Sequence, residues 1–209
     1  SLLKEWELQL PADTPNTFLI NIATEQVNTL ANALEENNIQ TAGIYPMVRG
    51  RLVKIKGSEA TALFDESVSE VYRELNLSWS DVLPKDNAVV EGKWFDGRST
   101  IQHQVSIEEK LAKRLGVKIG DQLTFSIAGA LLDVTVTSVR SLEWDRMTPN
   151  FYFLFAPGLL ESFPATSITS FHVAQEQQPV LTGILKQYPS VTAYPVGDLV
   201  DRIRSIVER

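Results

Sequence analysis

The sequence predicts an α+β fold: one lobe built of two β-α-β units contributed by both ends of the chain, with a β-rich lobe inserted between them. Three observations carry this. A strand–helix–strand pattern runs from Thr17 to Ile55. A second runs from Ile168 to Val196. Between them the hydrophobic period switches from helical to alternating within 106–139, and short apolar runs are separated by turn residues. The boundaries fall at 1–57 and 166–209 for the first lobe and at 58–165 for the second.

Trp6, Leu8 and Leu10 alternate before the turn-rich PADTPN. TFLINIA places Phe18, Ile20 and Ile22 on one face of a strand. Thr24 is the expected N-cap of a helix whose stripe is Val27, Leu30, Ala31 and Leu34, ending at Asn37-Asn38. The strand from Ala42 to Ile55 is interrupted at Pro46, which argues for an edge or a bend. At the far end, Val180, Ile184, Leu185 and Tyr188 form a helix face between strands at Ile168–Val173 and Val191–Val196. Tyr45-Pro46 and Tyr194-Pro195 fall in corresponding second strands, a short match that leaves repeat and coincidence both open. Asp198–Arg209 reads as a final amphipathic helix.

In the insertion, Val68–Leu75 is expected to be helical and LSWSDVLPKDN a turn-rich passage. Ala88–Glu91 and Phe151–Phe155 read as strands, the second stopped by Pro157-Gly158. Ser106 and Glu109 have the spacing of a capping box. Ile107, Leu111 and Leu115 then repeat at helical spacing up to Gly116, where a left-handed cap is needed. After Gly120-Asp121, Leu123, Phe125 and Ile127 alternate, Ala128-Gly129 turns the chain, and Leu132, Val134 and Val136 alternate back.

The chain has 209 residues, enough for a substantial core, and a net charge of -7. With no dense basic run, a nucleic-acid duplex is disfavoured as partner, and so is lying flat on an anionic leaflet. Cysteine is absent, which removes disulfides, thiolate metal sites and cysteine nucleophiles. No apolar run reaches the roughly 18 residues needed to span a bilayer. The abrupt start at SLLKEW and the stop inside DLVDRIRSIVER lead to the expectation of a piece excised from a longer protein.

No catalytic, cofactor-binding or metal-ligating residue is assigned. G-x-S-x-G is absent, and His103 and His172 are isolated histidines without a positioned partner. HExxH and an EF-hand loop are missing, and Glu143 and Asp145 read as solvated acids. Gly116 and Gly120 fit a helix stop and a turn better than a phosphate cradle, so no nucleotide cofactor is expected. Trp94, Phe95, Phe151 and Phe153 are expected in the core. Trp144 stands apart, because EWDRMTPN is otherwise polar. Trp144, Asp145, Arg49 and Arg51 are the candidate partner contacts.

The order LPADTPN, FLINI, YPMVRGRL, LNLSWSDVLPKDN, EEKLAKRLGVKIGDQLTFSI, EWDRMTPNFYFLFAPG and FPATSITSFHV resembles the large periplasmic domain of the FtsX-like/MacB-type ABC transporter permeases. Within that family it resembles the YbbP-like, lysophospholipase-associated branch. The resemblance implies a porter-like lobe of β-α-β units with an inserted Sabre-like lobe, on the periplasmic side of the bacterial inner membrane. It also implies a separate cytoplasmic ATPase subunit, mechanical transmission to the extracytoplasmic domain, and a hydrophobic or lipid cargo. A periplasmic lysophospholipase or thioesterase is an implied partner, and a non-transporting adaptor for such an enzyme is the alternative role. In the two-stalk picture Ser1 and Arg209 continue into the membrane and lie within roughly 20 Å of each other. Hinges are then expected near Gly57-Ser58 and near Pro164.

Overall fold

The computed structural model describes residues 11–97 and 100–197. In chain order the strands and helices are β1 (Thr17–Ala23), α1 (Val27–Glu36), β2 (Thr41–Ile55), β3 (Ser58–Glu59), α2 (Ala60–Leu63), β4 (Leu75–Trp79), β5 (Asn87–Gly92) and β6 (Gln104–Glu108). They continue as α3 (Glu109–Leu115), β7 (Gln122–Ile127), β8 (Ala130–Leu142), β9 (Phe153–Phe155), β10 (Thr166–Phe171), α4 (Gln178–Leu185) and β11 (Thr192–Pro195). The described chain divides into two compact units. One holds 11–45, Trp144–Pro149 and 166–197; the other holds Pro46–Glu143 and Asn150–Ala165. Strand β2 runs from one unit into the other, changing at Pro46. The expectation drew that boundary at residue 57. There, Lys56 and Gly57, both at positive φ, turn β2 tightly into β3, and no passage between units occurs.

The first unit has the β-α-β-β-α-β order, with strands arranged β11-β1-β10-β2 and β1 antiparallel to both of its neighbours. Its core is Leu19, Ile22, Leu30, Leu34, Ile39, Phe171, Val173 and Leu181. The two halves repeat. Ala23, Glu25, Gln26, Leu30 and Leu34 match Ala174, Glu176, Gln177, Leu181 and Leu185 at one constant spacing. Each half enters its helix through a 3-10 turn. In each, the Gln side chain accepts from an Ala amide: Ala23 N–H to Gln26 Oε1 at 3.4 Å, and Ala174 N–H to Gln177 Oε1 at 2.9 Å. This device replaces the Thr24 cap expected from sequence.

The face of β1 also differs from expectation. Leu19 and Ile22 are fully buried, while Phe18 and Ile20 are only half-buried. The pairing with β10 shifts between Leu19 and Ile22, and Asn21 there has φ 60°. One extra residue reverses which face the following side chains take, and Asn tolerates the left-handed conformation this requires.

In the second unit the pairing closes on itself: β2–β4–β9–β6–β8–β7 and back to β2. Closure removes the free edges that an open sheet would leave. The β4–β9 and β6–β8 pairs are parallel and the others antiparallel. Inside, Phe125 meets Phe153 and Phe155 edge-on, each pair of ring centroids 5.0 Å apart. The expected helix at Val68–Leu75 is instead a 3-10 turn at Ser69–Val71, and the following residues form β4. Leu75, Leu77 and Ser78 are buried there, so packing overrides the helical spacing.

Helix α3 begins later than the capping-box pattern implied. Ser106 and Ile107 belong to β6, and the cap is Glu108, whose carboxylate accepts from the Lys110 and Leu111 amides. Gly116 closes the helix at φ 67° as expected. The β7–β8 turn forms at Ala128-Gly129, with φ 48° and 83°. Alanine there costs about 1 kcal/mol relative to the Asn, Asp or Gly that such turns favour. The final helix at Asp198–Arg209, the Trp6–Leu10 alternation and the separation of Ser1 from Arg209 lie outside the described residues.

Arg140 on β8 is fully buried in the second unit. Its Nε donates to Ser106 Oγ at 2.8 Å and Nη1 to Asn87 Oδ1 at 2.7 Å. Nη2 donates to the Phe151 and Tyr152 carbonyls at 2.9 and 3.1 Å. Burial pushes its pKa down to about 9 while the nearby Glu108 carboxylate works the other way, so the charge persists at neutral pH. Replacing Arg140 with Met should lower the unfolding free energy by about 3–5 kcal/mol, because Asn87, Ser106, Glu108 and two carbonyls lose their common partner. Urea titration followed by tryptophan fluorescence measures this, and a loss under about 1 kcal/mol would contradict it.

Candidate interaction surfaces

Each chemical centre weighed from sequence finds an ordinary place. His103 is exposed, with Nδ1 3.1 Å from the Asp133 carbonyl oxygen, and His172 is half-buried directly after β10. Among the described residues no three His, Asp or Glu side chains converge as metal ligands would. Trp94 donates from Nε1 to the Asp81 carbonyl at 2.8 Å and packs against Phe95. Phe95, Phe151 and Phe153 are buried, as expected of core aromatics. A cavity of about 40 Å³ lies among Phe95, Asp96, Gly97, Thr100, Gln102, Ala156 and Pro157. An open depression of about 350 Å³ is lined by Glu35, Asn38, Ile39 and Gln40. Neither gathers a nucleophile with a base.

The four candidate contact residues form two pairs, one in each unit. Trp144 and Asp145 sit in a 3-10 turn, Trp144–Arg146, in the first unit; both are exposed, Trp144 at 43%. The segment is held where Ser170 Oγ donates to the Met147 carbonyl at 2.7 Å, with Met147 at φ 55° and Pro149 buried. A non-glycine residue without a short polar side chain rarely adopts that conformation, so the presentation of Trp144 is maintained against local strain.

Arg49 and Arg51 project from the outer face of β2 in the second unit, on either side of buried Gly50. A Cβ on Gly50 would lie 2.7 Å from Leu77 Cδ1 and 2.9 Å from Ile127 Cγ1, so the strand packs inward there and sends both arginines outward. Arg49 Nε is 3.2 Å from Glu74 Oε2, with both side chains largely in water, where such a pair contributes little. Arg51 is in register with Ser126 on β7.

Sequence reasoning missed the ionic groups that matter most to packing. Arg140 lies in the alternating run VTVTSVRSL, where a cation on a strand otherwise facing the core is itself a signal. The second missed pair is Arg114 with Glu70, joined by a hydrogen-bonded ion contact between α3 and the 3-10 turn at Ser69–Val71. Burial works against the Glu70 carboxylate. The hydrogen bond and charge of Arg114, helped by Arg73, outweigh it and hold the group below its ordinary value of 4.5.

No protein-family model matches the chain. It is 39% identical over 202 residues to the uncharacterized ABC transporter permease YbbP of Escherichia coli strain K12, across 97% of this chain and 24% of that protein. The chain therefore spans about a quarter of the length of its relative. Among solved structures, a domain ascribed to a permease of Porphyromonas gingivalis covers 86% of each chain at 11% identity, with a TM-score of 0.41.

Because Glu70 has a depressed pKa in the folded state, its contribution to stability is complete above its unfolded value and lost as pH falls through the folded one. At pH 7, Glu70→Gln should cost about 1 kcal/mol, since Arg114 is half-exposed. The gap between variant and parent should narrow as pH falls below about 4.5. Urea midpoints at several pH values measure it. A gap that stays constant or widens on acidification would mean that the ion pair is not its source.

Proposed function

The chain belongs, over nearly its whole length, with a segment of the YbbP-like ABC transporter permeases, and from that premise we propose that it is an extracytoplasmic domain of such a permease. In this reading a cytoplasmic ATPase subunit drives the cycle. The domain passes the motion on, in the export or extraction of lipids or other hydrophobic compounds. The observation that carries the reading is the match to the permease across the whole chain and only a quarter of the permease. No helix among the described residues is long and apolar enough to cross a membrane, which suits a segment placed outside the bilayer.

Connectivity supports a transmitting role. The chain passes between its two units at Tyr45–Pro46, Glu143–Trp144, Pro149–Asn150 and Ala165–Thr166. A displacement imposed on the first unit therefore reaches the second through several backbone connections. Two of these flank Trp144–Pro149, the segment that presents Trp144 and Asp145. That exposure favours a second role for the same domain, the docking of a periplasmic lysophospholipase or thioesterase.

The full permease, reconstituted with its ATPase in proteoliposomes, tests both roles. A variant with this domain replaced by a flexible linker should still hydrolyse ATP but lose ATP-driven release of a fluorescent lysophospholipid to an external acceptor. Undiminished release would refute the coupling role. If release survives and only co-purification of the lipid-cleaving enzyme is lost, the domain is an adaptor.

A further inference from the structure

The β7–β8 hairpin ends in a tip whose chemistry differs from that of most exposed turns. From Phe125 to Leu132 the chain carries no charge, and Ala128, Gly129, Ala130 and Leu131 are all exposed, Leu131 at 67%. The turn geometry favours Asn, Asp or Gly at the first central position, yet Ala128 occupies it at φ 48°. An apolar side chain is thus kept in water at a strained position that a polar residue would fill more comfortably. Local rules broken in this way point to function more often than to folding.

Register defines the neighbours of the tip. Leu131 is opposite Ser126, and Ser126 is opposite Arg51 on the next strand. Residues in register across adjacent strands share a face, so Leu131, Ser126 and Arg51 form one outward row. Inward positions on the same strands are taken by Leu52, Phe125, Ile127 and Val134, which are buried. Arg49 is on the same outward face, two residues nearer the turn. The uncharged Ala128-Gly129 turn extends past the row that ends in Arg51, so an apolar tip lies ahead of that guanidinium, the layering of a bilayer surface, where acyl chains lie beneath phosphate.

We infer that the hairpin tip Ala128–Leu131 dips into the interfacial layer of a phospholipid bilayer, with Arg51 at the level of the headgroup phosphates. The inference rests on the reading that the chain is an extracytoplasmic domain of a membrane permease, which places a bilayer beside it. A lipid surface fits the tip better than a protein socket does. A protein interface accommodates a polar turn residue, whereas an apolar layer penalises each one. The contact is confined to the tip, so the net charge of -7 over the whole chain does not oppose it.

The absence of cysteine makes single-site labelling clean. Nitroxide probes are placed on the purified chain at Leu131→Cys and, as a control, at Val180→Cys on α4. They are mixed with vesicles of phosphatidylcholine, alone or with one part in five phosphatidylglycerol. The probe at 131 should lose mobility and gain oxygen accessibility over a water-soluble relaxant, with the larger effect on the anionic vesicles; the probe at 180 should not change. Ala128→Asp should weaken vesicle binding at least about fivefold, without lowering the thermal midpoint, because Asp suits the turn. Arg51→Gln should abolish the preference for anionic vesicles.

A probe at 131 that stays in water on both compositions overturns the inference, and so does an Ala128→Asp variant that binds as well as the parent. A photo-crosslinker at 131 in the full permease that attaches to protein instead of lipid overturns it too, in favour of a docking partner. None of these outcomes touches the release assay above, so failure of the tip contact and failure of the permease reading are separable.

Discussion

A guanidinium without water must find a partner for each of its nitrogens, and Arg140 achieves this by tying together segments distant in sequence. It reaches Asn87 on β5, Ser106 on β6 and the carbonyls leading into β9, from its own place on β8. Of these, β9, β6 and β8 are consecutive in the closed ring of strands, and β5 flanks it on β8. The cost of burying the charge is large, and neutral acceptors alone offset it incompletely. Glu108, opposite Arg140 in register, supplies the counter-charge while also capping α3. One ionic arrangement thus ties β8 to β5 and β6 and sets the start of α3. The arrangement tolerates little variation, because any shift of β6 against β8 would strand a donor or a carboxylate.

Around that constraint the chain is interleaved. The first unit is completed by segments from both sides of the insertion, and β2 is shared between units. Each half of the first unit uses the same Gln-to-amide link to enter its helix. Tyr45-Pro46 and Tyr194-Pro195 stand outside the constant spacing that relates the halves, so they are not equivalent positions, although each falls in a second strand. At the first site Pro46 coincides with the change of unit, and at the second it ends β11, since proline withholds the amide that a further strand would need.

The large elements were legible because they depend on local pattern. The two β-α-β units, the hairpin at 122–136 and the left-handed stop at Gly116 all follow from periodicity and turn chemistry. The errors arose where a tertiary demand outweighed that pattern. Ser106 and Glu109 have capping spacing, but Ser106 is needed as the acceptor for Arg140, which keeps it in a strand and passes the cap to Glu108. Phe18 and Ile20 alternate properly with Ile22, but a single extra residue at Asn21 breaks the alternation, and no periodicity reveals a bulge in advance. Val68–Leu75 has helical spacing, yet Leu75 and Leu77 are required by the barrel. Of the candidate contacts, exposure at Trp144 could be anticipated from its polar context. The row Arg51–Ser126–Leu131 could not, because it exists only once β2, β7 and β8 are paired.

The distribution of reactive groups bears on what kind of part this is. Glu108, Arg140 and Glu70, the buried ionisable groups among the described residues, are each engaged with another part of the same fold. The histidines belong to different units, and His103 is bonded to a backbone carbonyl. What remains for interaction is surface and connectivity: a tryptophan held out by a strained turn, an arginine pair on a strand and an apolar hairpin tip. Within the second unit a close-packed interior with paired charges has little freedom to deform, which is the property the proposed transmitting role asks of it.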